Sequence, residues 1–169
     1  MKKQKISIGL LNPKSPTNVG AVLRAANCYN VDSIYYTGTR YDRAEKLGTD
    51  TKNAIQHIGL NKVENLLDSV PANTKRICVE LVEGATPLPD FSHPENAIYI
   101  FGPEDNTIDQ NIIDKADAVI YIPTKSCMNL AATVNVVLYD RLAKSDISYA
   151  SDELIHQIRD TNNNTKIKS

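Results

Sequence analysis

Three short clusters of polar residues carry most of the chemistry that this chain could perform. They are Asn18-x-Gly20-x-x-x-Arg24, Phe101-Gly102-Pro103-Glu104 and Ser126-Cys127-Met128-Asn129. Arg24 is permanently charged and can grip a phosphate group through two hydrogen bonds, while Gly20, one helical turn earlier, leaves room beside it. Asn129 lies at the expected start of a helix, where free N–H groups favour an anionic or polar ligand. These residue types indicate a site for a phosphate-bearing ligand, although each cluster alone also fits a structural role as a surface arginine, a turn or a helix cap.

Several common kinds of site are missing from the sequence. No two glycines stand two residues apart and there is no Gly-Lys-Ser or Gly-Lys-Thr, which argues against Rossmann-type dinucleotide binding and against a P-loop. A Gly-x-Ser-x-Gly nucleophile motif is absent as well. The three cysteines and three histidines lack metal-ligand spacing, so we expect no metal site. The cysteines are expected to be free thiols in a reducing cytoplasm.

Alternating strands and helices must position the three clusters. Apolar runs predict strands over Lys5–Leu11, Ser33–Thr37, Arg76–Val82, Ala97–Phe101 and Ala118–Ile122. Five helices are predicted: one from Thr17 or Asn18 to Tyr29, and the others over Asn61–Val70, Thr107–Lys115, Met128–Ala143 and Ser151–Arg159. Loops are predicted over Gly38–Thr51 and Pro87–Pro94. This order favours an α/β fold with a mostly parallel, helix-covered sheet. It also places each polar cluster where a strand ends or shortly after it.

The composition predicts a single soluble domain over residues 1–150, followed over residues 151–169 by a short helix and a disordered polar tail that begins at Thr161. No apolar run reaches the roughly 18 residues that a membrane span needs, so we expect a cytoplasmic protein without a membrane partner. Charge is spread unevenly: residues 1–52 hold nine basic and four acidic side chains, although the net charge of the chain is −1. A basic N-terminal part is compatible with a phosphate-bearing partner.

Taken together, three stretches resemble the motifs of the SpoU–TrmH family (SPOUT class) of RNA ribose 2′-O-methyltransferases. They are NPKSPTNVGAVLRAA, IFGPE and IPTKSCMNLAATVNVVLYD, and the resemblance extends over about residues 6–143. It implies a six-stranded, mainly parallel sheet whose C-terminal part is threaded into a trefoil knot, an exception to the usual rule against knots. It further implies a homodimer packed through the N-terminal and C-terminal helices, S-adenosylmethionine as cofactor and RNA as substrate. The length favours the minimal, tRNA-modifying kind, with rRNA as the alternative.

The resemblance also assigns roles to individual residues. Arg24, Asn18, Glu104 and Asn129 match the catalytic motif positions. Arg24 is expected to act in the active site of the partner protomer, on the ribose hydroxyl or the neighbouring phosphate. Asn18 and Asn129 are expected to orient the arginine and the ribose, and Glu104 to fix its loop or to lie near the sulfonium charge. The cofactor is expected to contact three loops, at Glu80, Leu81, Gly102, Pro103, Ile122, Cys127 and Met128.

The chain departs from the family pattern in two places. Cys127 replaces the usual serine, and a thiol is a weaker hydrogen-bonding group than a hydroxyl. Asp105, Asn106 and Thr107 follow Glu104, where the family often has a glycine. These departures support an alternative, a knotted RNA-binding or cofactor-binding module without methyltransferase activity. A third alternative is an unrelated α/β nucleotide-binding protein. The sequence shows no base to activate the Cys127 thiol, which disfavours a covalent role for it.

Overall fold

A single parallel sheet forms the centre of the molecule. The structure, a computed structural model, describes residues 5–45, 58–145 and 150–167. Within these residues the sheet has seven strands in the order β3-β2-β1-β6-β4-β7-β5, all parallel. The strands are β1 (Ile6–Leu10), β2 (Ser33–Tyr36), β3 (Leu60–Lys62), β4 (Lys75–Val79), β5 (Thr86–Pro87), β6 (Ala97–Phe101) and β7 (Ala118–Tyr121). Because every strand runs the same way, the carboxyl ends of the strands meet at one edge.

Helices and loops cover both faces of this sheet. The helices are α1 (Pro16–Cys28), α2 (Arg40–Glu45), α3 (Gln110–Ile113), α4 (Leu130–Ala143) and α5 (Asp152–Ile158), with a 3-10 turn at Leu88–Asp90. On one face α1 and α4 pack against each other and against the sheet. The other face is covered by the segment around Leu66 and by Ile108. Alternate residues of the fully buried β6 point into the two apolar clusters, as expected for the central strand of a parallel sheet.

The structure confirms the predicted helix-covered parallel sheet, with β6 beginning and ending at the predicted residues. It has one strand more than the six that the resemblance implies. The shortest strand, β5, has two residues and pairs with β7 at the sheet edge. Together with the 3-10 turn it occupies part of the segment predicted as a loop over 87–94. The described residues contain no helix long and apolar enough to cross a membrane.

The helix predicted over Asn61–Val70 is wrong. Leu60–Lys62 form the edge strand β3, and the residues that follow form turns. The Asn65 side chain accepts a hydrogen bond from Leu67 N (2.9 Å), a local turn geometry that competes with a helix. The apolar residues that suggested the helix nevertheless face the core, as Leu66, Leu67 and Val70 are buried.

Smaller corrections concern the ends of elements. Helix α1 is capped by Ser15, not by Thr17 or Asn18: the Ser15 side chain accepts from Asn18 N, and Pro16 fills the first turn, where its missing N–H costs nothing. Strand β4 ends at Val79, and α3 is four residues long. Helix α2 lies in the segment predicted as a loop over 38–51, of which residues 46–51 are outside the described part. A domain end at residue 150 and disorder of the tail stay predictions.

Candidate active site

A cavity of about 340 Å³ opens at the carboxyl edge of the sheet, where the central strands β6, β4 and β7 end side by side. Its walls come from the ends of these strands, the loops that follow them and the first turn of α4. All seven residues predicted to contact the cofactor line it: Glu80, Leu81, Gly102, Pro103, Ile122, Cys127 and Met128. A concave site at the carboxyl ends of parallel strands is where ligands bind in α/β folds.

Glu80 joins two of the walls. One carboxylate oxygen accepts a hydrogen bond from Leu81 N (2.9 Å) and the other from Ile108 N (3.1 Å). The second bond ties the end of β4 to the loop between β6 and α3 (residues 102–109, the second loop). Gly102 lies where this contact is closest, since a Cβ there would be 3.2 Å from Glu80 Oε2 and from Ile108 Cγ1. The glycine therefore permits the two walls to approach each other.

The third wall is the loop between β7 and α4 (residues 122–129, the third loop). Asn129 ends it as the N-cap of α4, and its Oδ1 accepts a hydrogen bond from Ala132 N (2.8 Å). The neighbouring Met128 and Leu130 line the cavity, and Cys127 is exposed at its surface. The structure thus places Asn129 beside the cavity with its oxygen used for capping, the structural role considered above.

Glu104 is the main contact between the second loop and the loop between β1 and α1 (residues 11–15, the first loop). Its carboxylate accepts hydrogen bonds from Lys14 N (2.9 Å), Ser15 N (3.1 Å) and the Asn18 side-chain amide (3.1 Å). Burial alone would raise the pKa of Glu104, but the bonds from Lys14, Asn18 and Ser15 together lower it below its ordinary value. The carboxylate therefore stays ionised at neutral pH and holds the two loops together.

Arg24 lies apart from these residues. Its side chain is exposed on α1, does not line the cavity, and has no hydrogen bond or ion pair with any residue that the structure describes. Neither Asn18 nor Asn129 hydrogen-bonds to it. Within one protomer, then, the structure joins Asn18 to Glu104, places Asn129 beside the cavity and leaves Arg24 exposed to solvent.

A second arginine, Arg40, has no role among the sequence predictions but contacts the second loop. Arg40 Nη1 is 2.9 Å from Asp105 Oδ1, and Arg40 Nη2 is 4.0 Å from Glu104 Oε2. The hydrogen bond from Arg40 lowers the pKa of Asp105. Arg40 follows the carboxyl end of β2 by a few residues, and β2 lies two strands from β6 in the sheet. The position of Arg40 after a nearby strand could therefore have indicated that it reaches the loop after β6.

Comparison with known proteins agrees with this geometry. Residues 5–139 match the model of the SpoU rRNA Methylase family. The chain is 28% identical over 158 residues to the tRNA (cytidine-2′-O-)-methyltransferase TrmJ of Methanocaldococcus jannaschii, covering 82% of this chain and 68% of that protein.

Two solved structures show the same fold. The A. aeolicus TrmH/SpoU tRNA modifying enzyme superimposes with a TM-score of 0.72 at 18% identity, over 92% of this chain and 85% of that one. The SpoU methyltransferase AviRb of Streptomyces viridochromogenes, in complex with AdoMet, superimposes with a TM-score of 0.67 at 15% identity, over 85% of this chain and 61% of that one. The family match excludes an unrelated α/β nucleotide-binding protein. The chain belongs to the SpoU methylase family of RNA ribose 2′-O-methyltransferases, which use S-adenosylmethionine, as the three sequence motifs predicted.

Proposed function

We propose that this protein transfers a methyl group from S-adenosylmethionine to a ribose 2′-hydroxyl of tRNA, with rRNA as the alternative substrate. The observation that carries the proposal is the meeting of all seven predicted cofactor residues around one cavity, in a chain that belongs to this family. TrmJ and the A. aeolicus enzyme are described as acting on tRNA, which supports tRNA as the substrate. An RNA substrate of this kind also supports a cytoplasmic enzyme.

The residues around the cavity fit the cofactor. A volume of about 340 Å³ lies within the roughly 300–1,000 Å³ of small-molecule sites. Leu81, Met128 and Leu130 supply apolar surface for an adenine ring, and the loop backbones supply hydrogen-bonding groups for the polar ends of the cofactor. S-adenosylmethionine, when bound, provides an activated methyl group on a sulfonium. Glu80 and Glu104 add negative charge near that cation.

The ribose hydroxyl needs help because it is a very poor acid. We assign this role to Arg24, whose guanidinium stabilises the nascent alkoxide and holds the adjacent phosphate. The hydroxyl proton passes to water or to a phosphate oxygen, because a guanidinium has no lone pair to accept it. Glu104 and Asn18 hold the first loop in place. Positioning of the hydroxyl in line with the methyl group then supplies most of the rate.

The position of Arg24 supports an active site shared between two protomers. It is exposed on α1 and outside the cavity of its own chain. Helix α4, which packs beside α1, exposes 62% of Tyr139, an aromatic surface suited to an interface. A homodimer packed through α1 and α4 would cover this surface and bring Arg24 to the other cavity.

We also infer that α4 is the threaded element of a trefoil knot. Its last turns are bound to the segment before β6: Arg141 donates to Pro94 O (2.6 Å) and Glu95 O (2.9 Å), and Lys144 donates to Leu88 O (2.6 Å) and Phe91 O (3.1 Å). In the knotted arrangement that the resemblance implies, these contacts would hold the threaded helix against the segment before β6. A trace of the chain in a crystal structure tests this inference.

The competing function is a binding module without transferase activity, and the exposed Cys127 in place of serine favours it. Calorimetric titration with S-adenosylmethionine, followed by mass-spectrometric mapping of tRNA and rRNA from cells with and without the gene, separates the two. A 2′-O-methyl mark that is lost with the gene and restored by the wild-type protein supports the enzyme. Cofactor binding with no missing mark, at full coverage of both RNAs, supports the module.

A further inference from the structure

Two cations beside the second loop share one exposed carboxylate. Asp105 Oδ1 is 2.9 Å from Arg40 Nη1, and Asp105 Oδ2 is 3.6 Å from Lys14 Nζ. The carboxylate thus presents a different oxygen to each cation. A phosphodiester has two non-bridging oxygens that can be shared in the same way, and a guanidinium and an ammonium are the groups that bind them.

The backbone holds Arg40 in this position. Asn12 N in the first loop donates to Thr37 Oγ1 (3.1 Å), just before Gly38. Gly38 has φ +79°, and a Cβ there would be 2.1 Å from Asn12 Oδ1. The turn after β2 therefore packs directly on the first loop, close to Lys14. This turn, whose close approach to the first loop requires glycine at position 38, brings Arg40 to Glu104 and Asp105 of the second loop.

The two neighbouring acids differ in how firmly they are held. The Glu104 side chain is 16% exposed and accepts three N–H bonds, whereas the Asp105 side chain is 47% exposed and is held by side-chain cations. Ion pairs as exposed as this one contribute little to stability and exchange readily. Arg40 Nη2 is buried, makes no hydrogen bond within the described residues and lies 4.0 Å from Glu104 Oε2. The close bond to Asp105 is therefore made by Nη1.

We propose that Arg40 and Lys14 form a binding site for a phosphodiester of the substrate RNA, and that Asp105 occupies this site in the free protein. The inference rests on the proposed function in that it takes the substrate to be RNA. When the RNA phosphate enters, the Asp105 carboxylate leaves for solvent. The site lies beside the contact between the first and second loops, so that a bound phosphate sits next to the cofactor cavity.

The direct test is Asp105→Asn, which removes the competing charge and keeps the shape of the side chain. We expect RNA binding to tighten about two- to fivefold, the range that an exposed ion pair contributes. The slope of the plot of log K against log salt should stay close to the wild-type value, because the same phosphodiester is neutralised in both proteins. Binding is measured by filter retention or fluorescence anisotropy with labelled tRNA over a series of salt concentrations.

Asp117→Asn is the matched control. Asp117 is also paired with a lysine and an arginine, at 2.9 Å from Lys75 Nζ and 3.9 Å from Arg76 Nη1. Asp117 lies immediately before β7, at the amino ends of the strands and therefore at the opposite end of the sheet from the cavity. The charge change is the same, so any general effect of net charge on RNA affinity appears in both variants. RNA affinity should rise more in Asp105→Asn than in Asp117→Asn, and equal rises would overturn the proposal.

Arg40→Gln gives an independent test that does not depend on the folding of the Asp105 variant. RNA binding should weaken about two- to fivefold, with a salt plot shallower by about 0.7–0.9, while S-adenosylmethionine affinity stays unchanged. In a double variant that carries both Asp105→Asn and Arg40→Gln, the gain in RNA affinity from Asp105→Asn should be smaller, because one of the two cations that Asp105 pairs with is gone. A loss of cofactor affinity in Arg40→Gln would instead assign the guanidinium to the cofactor and refute the phosphate site.

The outcome for the wild-type protein separates this inference from the proposed function. Wild-type protein that neither binds nor methylates RNA refutes the proposed function. If the wild-type protein does both, the phosphate site alone is refuted when Asp105→Asn gains no more RNA affinity than Asp117→Asn, or when Arg40→Gln binds RNA as tightly as the wild type.

Discussion

Glu104→Gln tests how the first and second loops are held together. In the wild type, one carboxylate oxygen accepts from Lys14 N, and the other accepts from Ser15 N and the Asn18 amide. Glutamine can keep only one of these acceptor sites. If the glutamine carbonyl faces Ser15 and Asn18, its NH₂ group faces the Lys14 N–H. Both groups are then donors, and the hydrogen bond from Lys14 N is lost.

The cost can be worked out from these contacts. Loss of one hydrogen bond to a charged, mostly buried group costs about 1.5–3 kcal/mol. For a chain of this size that lowers the melting temperature by about 3–10 °C. We expect the free energy of unfolding to fall by that amount in urea denaturation. The rate of methyl transfer should fall with it, because the first loop is no longer fixed beside the second.

The pH dependence of this variant gives a second readout. The pKa of Glu104 is lower in the folded protein than its ordinary value of 4.5, so its contribution to stability is present above about pH 4.5 and is lost as the pH falls through the folded pKa. Glu104→Gln should lack this component of acid destabilisation. Glu83→Gln is the control, since Glu83 is exposed and makes no hydrogen bond or ion pair with the described residues. Equal urea midpoints and equal rates for Glu104→Gln and the wild type would refute the role given to Glu104.

Three further predictions follow from single residues. Arg24→Ala should abolish methyl transfer while the free energy of unfolding changes by less than about 0.5 kcal/mol and cofactor affinity is kept; a large loss of calorimetric cofactor binding would contradict this. Gly38→Ala should lower the free energy of unfolding by about 1–3 kcal/mol, because the methyl group would meet Asn12 at a positive φ; a urea midpoint equal to the wild type would show that the turn adapts. His93 is hydrogen-bonded to Tyr99 and Asp140, and burial lowers its pKa below 6.5. Its contribution to stability should therefore be present above pH 6.5 and be lost as the pH falls through the folded pKa; a His93→Gln variant with the same pH dependence in urea would disprove it.

The parallel sheet could be predicted from the sequence because its strands are short apolar runs between turn residues. Ala97–Phe101 was predicted to the residue, since all five side chains are buried and Gly102-Pro103 ends the strand. The segment over residues 61–70 was mistaken for a helix because its apolar residues recur at helical spacing. In the folded chain the same side chains reach the core from a turn held by Asn65. The spacing of the apolar residues thus predicted correctly which side chains are buried, but it did not predict the backbone conformation of the segment.

The site was predictable where it is built from continuous motifs. Each residue that was predicted to contact the cofactor belongs to a strand end or the loop after it, and parallel strands bring these ends to one edge. Arg40 and Asp105 were not predicted as partners, because they are 65 residues apart and their contact depends on the turn at Gly38. Long-range pairs of this kind follow from the packing of loops, which local patterns do not encode.

The central claim is that the acceptor is the ribose oxygen of RNA. It is tested most directly by incubating the protein with tRNA and S-adenosylmethionine labelled in the methyl group, and then hydrolysing the RNA with alkali. A 2′-O-methyl group blocks cleavage of the adjacent phosphodiester, so we expect the label to be recovered in alkali-resistant dinucleotides. Label recovered in mononucleotides would place the methyl group on a base and contradict the account, as would the absence of any transfer to tRNA or rRNA.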